Sequence, residues 1–384
     1  MFWRRMGALA ASSALFFLTE AGFGVIGPLW AAQDLSLGND EWAFLRAANA
    51  LGGFGGILML GLLAERFGSS LTSALALLGF GLALAGLGAG IDTVLPMAAL
   101  GAFSAIVYVG YNTLTQRLPG ERAGLANAIY RATGAVAAIV APMLATQAAH
   151  AWGRYGPVLI AGSVLAALAG LLILAAGERG SGRSFAATLA AFRRWFGSPP
   201  LLSFIALTRA FGIAAAPVGA FAALRFTREL GLGGAQFGAL CSAIAVVSLL
   251  ALLVSGWIVE RLGASRTLAL AWAGCSAAAL TLGLSDSLAT SIAAYALFVP
   301  LHAMCSVPLS LWSSRIIDAA PDRAGHNAVF TVQKLYQSGV TMVAMALLGL
   351  LEPAVGMSVL MWCGGLLGLP LAALVLRLGV AQRT

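Results

Sequence analysis

Charge is what this sequence has least of. Only 9% of its 384 residues are Asp, Glu, Lys or Arg, against 60% hydrophobic, whereas soluble proteins carry roughly a quarter charged residues. That balance excludes an ordinary cytosolic enzyme. Lysine is rarer still: Lys334 is the single one among 22 basic residues. The formal charge of +8 therefore belongs to arginine, and we ascribe it to basic loops beside a membrane rather than to nucleic-acid binding. Cysteine is sparse too. Cys241, Cys275, Cys305 and Cys363 form no C-x-x-C pair, so neither a disulfide framework nor a zinc finger is indicated, and they read as small core residues. No H-E-x-x-H, G-x-S-x-G, phosphate loop or His-Cys ligand cluster occurs. An enzyme, a cofactor and a bound metal are therefore not expected.

What the chain has in abundance is long apolar runs. A bilayer-spanning helix needs about 20 such residues, and runs fall near 6–30, 42–63, 71–90, 93–116, 123–149 and 155–176, then 200–224, 235–257, 266–284, 287–312, 325–350 and 354–376. Twelve spans account for nearly the whole chain. The expected fold class is all-α integral membrane, with six-helix units at 1–176 and 200–384 joined by a linker at 177–199. Within the linker, 184–196 reads as an amphipathic helix lying at the membrane surface. The first run follows Arg4 and Arg5 and continues to Trp30, too long for a signal peptide, so it is expected to remain as the first helix.

Loop charges orient the chain. Counted alternately from an inside N-terminus, Arg4, Arg5, Arg66, Arg117, Arg122, Arg179, Arg183, Arg193, Arg194, Arg261, Arg266, Arg315, Arg323, Arg377 and Arg383 share one face. The other receives Arg154, Arg225 and Arg228. Such a bias makes the first face cytoplasmic, with both termini inside a cell inner membrane. The halves also repeat. Gly61-Leu-Leu-Ala-Glu65-Arg66-Phe-Gly68 is echoed by Gly256-Trp-Ile-Val-Glu260-Arg261-Leu-Gly263, and Glu121-Arg122-Ala-Gly124 by Asp322-Arg323-Ala-Gly325. Matched loops at corresponding places indicate a duplicated bundle, a design of secondary transporters.

These loops carry a resemblance. Over nearly its whole length the chain resembles the major facilitator superfamily, whose G-x-L-a-D-R-x-G loop between helices 2 and 3 is matched at Gly61 to Ser70, with a weaker copy at Gly256 to Arg266. Glu65 and Glu260 replace the usual aspartate, and Ser69-Ser70 the usual basic pair. The resemblance implies two pseudo-symmetric six-helix bundles, with a gating role for Gly61, Glu65, Arg66, Gly68, Glu260 and Arg261. It further implies that helices 1, 4, 7 and 10 line a cavity, 2, 5, 8 and 11 flank it, and 3, 6, 9 and 12 face lipid.

A charge at bilayer depth costs roughly 2.5–3.5 kcal/mol on insertion scales and so needs a partner, water or a substrate. Glu20, Arg46, Arg131, Arg209 and Lys334 fall inside apolar runs, and the runs at 71–90, 155–176, 266–284 and 354–376 are otherwise nearly free of charge. Helical spacing puts Arg46 with Asn49, Arg131 with Asn127, and Lys334 with Gln337, Ser338 and Thr341. Ser104, Tyr108, Tyr111, Asn112 and Thr115 form a polar stripe, and His302 lies in the tenth run. Convergence of these residues on one midplane cavity predicts a site with four cations and one acid, suited to an anionic solute. Arginine's planar fork fits carboxylate or phosphate, while lysine supplies a compact point charge. Glu20 is the expected proton site, since a carboxyl removed from water holds its proton until water or a cation reaches it.

Blander roles stand beside these. Arg46 can snorkel or pair with Asp40 or Glu41, Arg131 can tie its helix to carbonyls, Arg209 can form a fixed strut with Glu20, and His302 can be a packing residue. The functional expectation is a monomeric, proton-coupled carrier of a small, anionic organic solute in the lipid bilayer, working by alternating access. Three alternatives remain open: a proton/drug antiporter, a copper-like soft-metal importer using His302, Met304, Cys305, Met342 and Met345, and a non-transporting receptor.

Overall fold

The computed structural model describes residues 2–60, 67–117, 123–177, 185–318 and 326–381. Every regular element among the described residues is helical. The first half supplies α1 (Phe2–Gln33), α2 (Asn39–Leu60), α3 (Ser69–Gly88), α4 (Val94–Arg117), α5 (Ala123–Trp152) and α6 (Gly156–Leu174). After α7 (Phe185–Phe196) come α8 (Pro199–Leu224), α9 (Gly234–Leu262), α10 (Ala264–Leu284), α11 (Leu288–Met304), α12 (Ser306–Asp318) and α13 (His326–Ala381). Ten helical stretches among the described residues are long and apolar enough to cross a membrane. The longest, Thr331–Arg377, is interrupted by Gly356 at φ 79°, ψ 159°.

One element departs from the sequence reading. The run at 287–312 is broken into α11 and α12 at Cys305, because Pro308 has no N–H to give to the carbonyl four residues back. The linker helix α7 forms within the stretch read as an amphipathic helix. Its C-terminal end meets protein, with Trp195 buried among Leu201, Phe204, Ile205, Val329 and Val332, and the Phe196 ring stacked on Tyr336 at 5.2 Å. Arg193 remains exposed.

The loop repeat is carried down to single bonds. Gly68 has φ 92° and Gly263 φ 83°, left-handed values that favour glycine. Four residues on, Thr72 Oγ1 donates to the Gly68 carbonyl and Thr267 Oγ1 to that of Gly263, each at 2.9 Å. Gly61, Glu65 and Arg66, given gating roles above, lie outside the described residues.

Close helix approach sets the core. Without a hydrophobic drive between helices in lipid, small residues let backbones meet. A Cβ on Gly52 of α2 would overlap the Ala98 carbonyl of α4, and one on Gly101 would overlap that of Asn49. Asn49 then donates to the Met97 carbonyl at 3.1 Å. With α2 fixed on α4 in this way, α2 also packs along α13, and α5 packs on α9; these contacts join the first half of the chain to the second.

One end of the bundle is densely tied. Asp34, after α1, accepts from the amides of Tyr155 and Gly156 at 2.9 Å each, a carboxylate at a helix N-terminus. A π-helical turn, Arg225–Glu229, extends α8. It buries Arg225, whose guanidinium reaches Glu229 at 2.7 Å, the Ser285 carbonyl at 2.7 Å and the Ser358 hydroxyl. Arg228 crosses to the first half, donating to Asn39 Oδ1 and the Leu37 carbonyl at 2.8 Å each. Asn39 in turn donates to Glu352 at 2.8 Å. We call this the Asp34 end.

Candidate functional site

A cavity of about 500 Å³ lies within the bundle, inside the size range of small-molecule sites. Arg46 of α2 reaches it from the first half of the chain; the second half contributes Thr208, Arg209, Gly212 and Gly219 from α8, Trp272 from α10, His302 from α11, Cys305, and Gln337 and Thr341 from α13. Of the site residues expected from sequence, Arg46, Arg209, His302 and Gln337 therefore share one wall. His302 is exposed, and it is this cavity that it lines. Phe211 stacks on Trp272 with centroids 4.4 Å apart and planes 5° apart, and so holds that wall flat.

Glu20, Tyr108 and Lys334 are not among the cavity-lining residues but form a cluster of their own. Tyr108 donates its hydroxyl to one carboxylate oxygen of Glu20, and Ser104 donates to the other at 3.1 Å. Lys334 Nζ sits over the Tyr108 ring, 4.8 Å from its centroid, a cation–π contact. Lys334 and Arg46 are the cations whose charge acts on Glu20, and Arg209 acts on Lys334. A line of groups thus runs from Glu20 on α1 through Tyr108 on α4 to Lys334 on α13 and Arg209 on α8. The Nε of Arg209 is buried with no hydrogen-bond partner.

Other expected residues sit apart. Tyr111 is fully buried, bonded to Ser12 Oγ at 2.7 Å and edge-on to Phe16 and Tyr130, which makes it part of the packing of α1, α4 and α5. Asn112 is half-buried and Arg131 exposed, and neither is among the cavity-lining residues. Glu260 is exposed at the end of α9, where Arg261 covers the Trp257 ring at 4.0 Å. Among the described residues no three His, Cys, Asp or Glu side chains group as metal ligands.

The sequence reading passed over the aromatic and glycine part of the wall. Phe211, Trp272, Gly212 and Gly219 carry no charge to flag them. The break at Cys305 had a usable signal in Pro300 and Pro308, since interrupted apolar segments point to binding sites in carriers.

A cavity with apolar walls and two arginines, enclosed by apolar, membrane-length helices, defines a multi-pass membrane transporter. The chain belongs to the Major Facilitator Superfamily, whose family model matches residues 9–345. No curated protein sequence matches it. Solved structures with a similar fold include a POT family transporter in complex with a thioalcohol-conjugated peptide, at TM-score 0.78 and 11% identity, covering 98% of this chain and 96% of that one. The nucleoside transporter NupG aligns at TM-score 0.76 and 12% identity, over 97% and 98% of the two chains. A bacterial homolog of the human lysosomal transporter Spinster, inward-facing and unoccupied, aligns at 0.68 and 14%, over 99% and 95%.

Proposed function

We propose that this protein is a proton-coupled secondary transporter of a small organic anion. In this reading twelve spans form two six-helix bundles, 1–176 and 200–384, that rock about the cavity. The arginine bias of the loops places both termini in the cytoplasm of a cell inner membrane, with the Asp34 end outside. The observation that carries the proposal is the pairing of two arginines, Arg46 and Arg209, in one cavity with a buried acid and a lysine, Glu20 and Lys334, that meet at Tyr108.

The cycle follows from that arrangement. Ionised Glu20 holds Lys334 through charge and through the shared Tyr108. A proton on Glu20 cancels that hold and leaves Lys334 and Arg209 to receive a carboxylate or phosphate, for which the unpartnered Arg209 Nε and a bidentate fork are suited. Loss of the proton on the opposite side restores the attraction and expels the anion.

Flux into proteoliposomes under an imposed pH gradient tests this. Glu20→Gln is expected to abolish pH-driven accumulation while leaving counterflow exchange of the anion intact. Undiminished pH-driven uptake in that variant refutes the coupling role, and selective stabilisation of the wild-type protein by organic cations refutes the anion.

A further inference from the structure

Resting on that anion reading, we propose that the solute's body is a flat aromatic ring, so that the substrate class is an aryl carboxylate laid on the Gly212–Gly219 strip of α8 against the imidazole of His302.

Three observations converge. The first is a set of nearly parallel rings from three helices. Trp272 and Phe211 are 5° from parallel, Phe211 and His302 21° with centroids at 6.4 Å, and Phe298 and His302 15° at 5.9 Å. Trp272 is 1% exposed and Phe211 5%, so packing fixes their orientation, and His302 is the exposed ring that continues it into the cavity. The second is the α8 wall of the same cavity. Thr208, Arg209, Gly212, Ala216 and Gly219 put one face of α8 on the cavity, and a Cβ added at Gly212 or Gly219 would meet nothing within 4 Å. Seven residues of helix from Gly212 to Gly219 make a strip roughly 10 Å long, open along Gly212, Ala216 and Gly219 and flanked by Ile213, which also lines the cavity. The third is the charge at its end: Arg209 lies one turn before Gly212, with its Nε unpartnered.

A wall opened by glycines and an exposed imidazole in the same cavity favour a planar body, because offset stacking needs a flat partner. The strip's length suits one or two fused rings, with the carboxylate reaching Arg209. A saturated ring carries the same charge and apolar area but is thicker and has no π face, so charge and planarity are separable.

The probes are 2-naphthoate, its fully saturated analogue decahydro-2-naphthoate, and neutral 2-naphthamide, titrated by calorimetry into the full chain in nanodiscs. We expect 2-naphthoate to bind about tenfold tighter than the saturated acid. His302→Ala should bring that ratio to about one with the saturated acid unchanged, and His302→Phe should restore it. Gly212→Leu should remove 2-naphthoate binding with no drop in melting temperature. Equal affinity for the two acids, or an equal loss of both in His302→Ala, overturns the aromatic assignment and leaves the anion reading standing. If 2-naphthamide binds as tightly as 2-naphthoate, the anion reading falls and the aryl carboxylate with it.

Discussion

Glu20 and Lys334 lie 314 positions apart in the sequence yet meet at the same phenol, and that meeting assigns them different duties. Tyr108 serves both at once, its hydroxyl donating to the carboxylate and its ring face taking the ammonium. Replacing Tyr108 by Phe keeps the ring and removes the hydroxyl bond. The expected outcome is a variant that still binds the anion but in which the pH dependence of uptake is displaced, read from initial rates across a pH series. In the proposed anion site Arg209 is the direct contact. Its removal in Arg209→Ala deletes a charge-assisted hydrogen bond of about 1.5–3 kcal/mol, which corresponds to a Kd increase of roughly 10- to 100-fold, measurable by calorimetry. Arg209→Lys is expected to recover only part of it, since an ammonium lacks the planar fork. These charges were legible in the sequence because each interrupts an apolar run. Tyr111 and Arg131 show where that legibility stops. A membrane helix is apolar on most faces, so sequence spacing says that Tyr108 and Tyr111 are neighbours without saying which one turns to the cavity. The neighbouring helices decide: Ser12, Phe16 and Tyr130 take Tyr111 into the core, while Tyr108 is left to Glu20.

At the scale of elements, the repeated loop was readable residue for residue, and its physical content is a pair of left-handed glycines. Gly68 and Gly263 each end one helix connection and cap the next helix. A side chain in this left-handed region is strained by roughly 1–2 kcal/mol, so Gly68→Ala and Gly263→Ala should each lower the melting temperature in detergent, and the double variant should show close to the sum because the sites share no partner. Thr267→Val, which removes the Oγ1 bond to Gly263 but keeps the shape, should give a smaller decrease. The linker helix was legible as amphipathic, but its partner was not. An apolar stripe specifies burial without naming lipid or protein, and here Trp195 and Phe196 found the ends of α8 and α13. The break between α11 and α12 escaped notice for a related reason: Pro308 sits in a run whose hydropathy continues across it, so composition hides an interruption that hydrogen bonding enforces.

For the whole molecule, the question is what a carrier of this kind must break to expose its cavity at the Asp34 end. The clasp there is specific: Arg228 of the π turn grips Asn39 and the Leu37 carbonyl, and Asn39 grips Glu352. It spans the two halves of the chain, and none of Asn39, Arg228 and Glu352 lines the cavity, so it can be altered without touching the site. These bonds are exposed or part-buried, and each contributes on the order of 0.5–1.5 kcal/mol, enough to bias two states without locking one. Arg228→Ala is therefore expected to leave solute affinity in the cavity within about twofold while increasing labelling, by a membrane-impermeant maleimide, of a cysteine placed at Gly219 in a background lacking the four native cysteines. An oxidised cross-link between Asn39→Cys and Glu352→Cys should do the reverse, stopping net flux with the cavity intact and releasing it on addition of reductant. Transport that continues at full rate through the cross-linked protein would mean that this end does not open during the cycle, and the two halves would then have to move about some other seam than the one Arg228 closes.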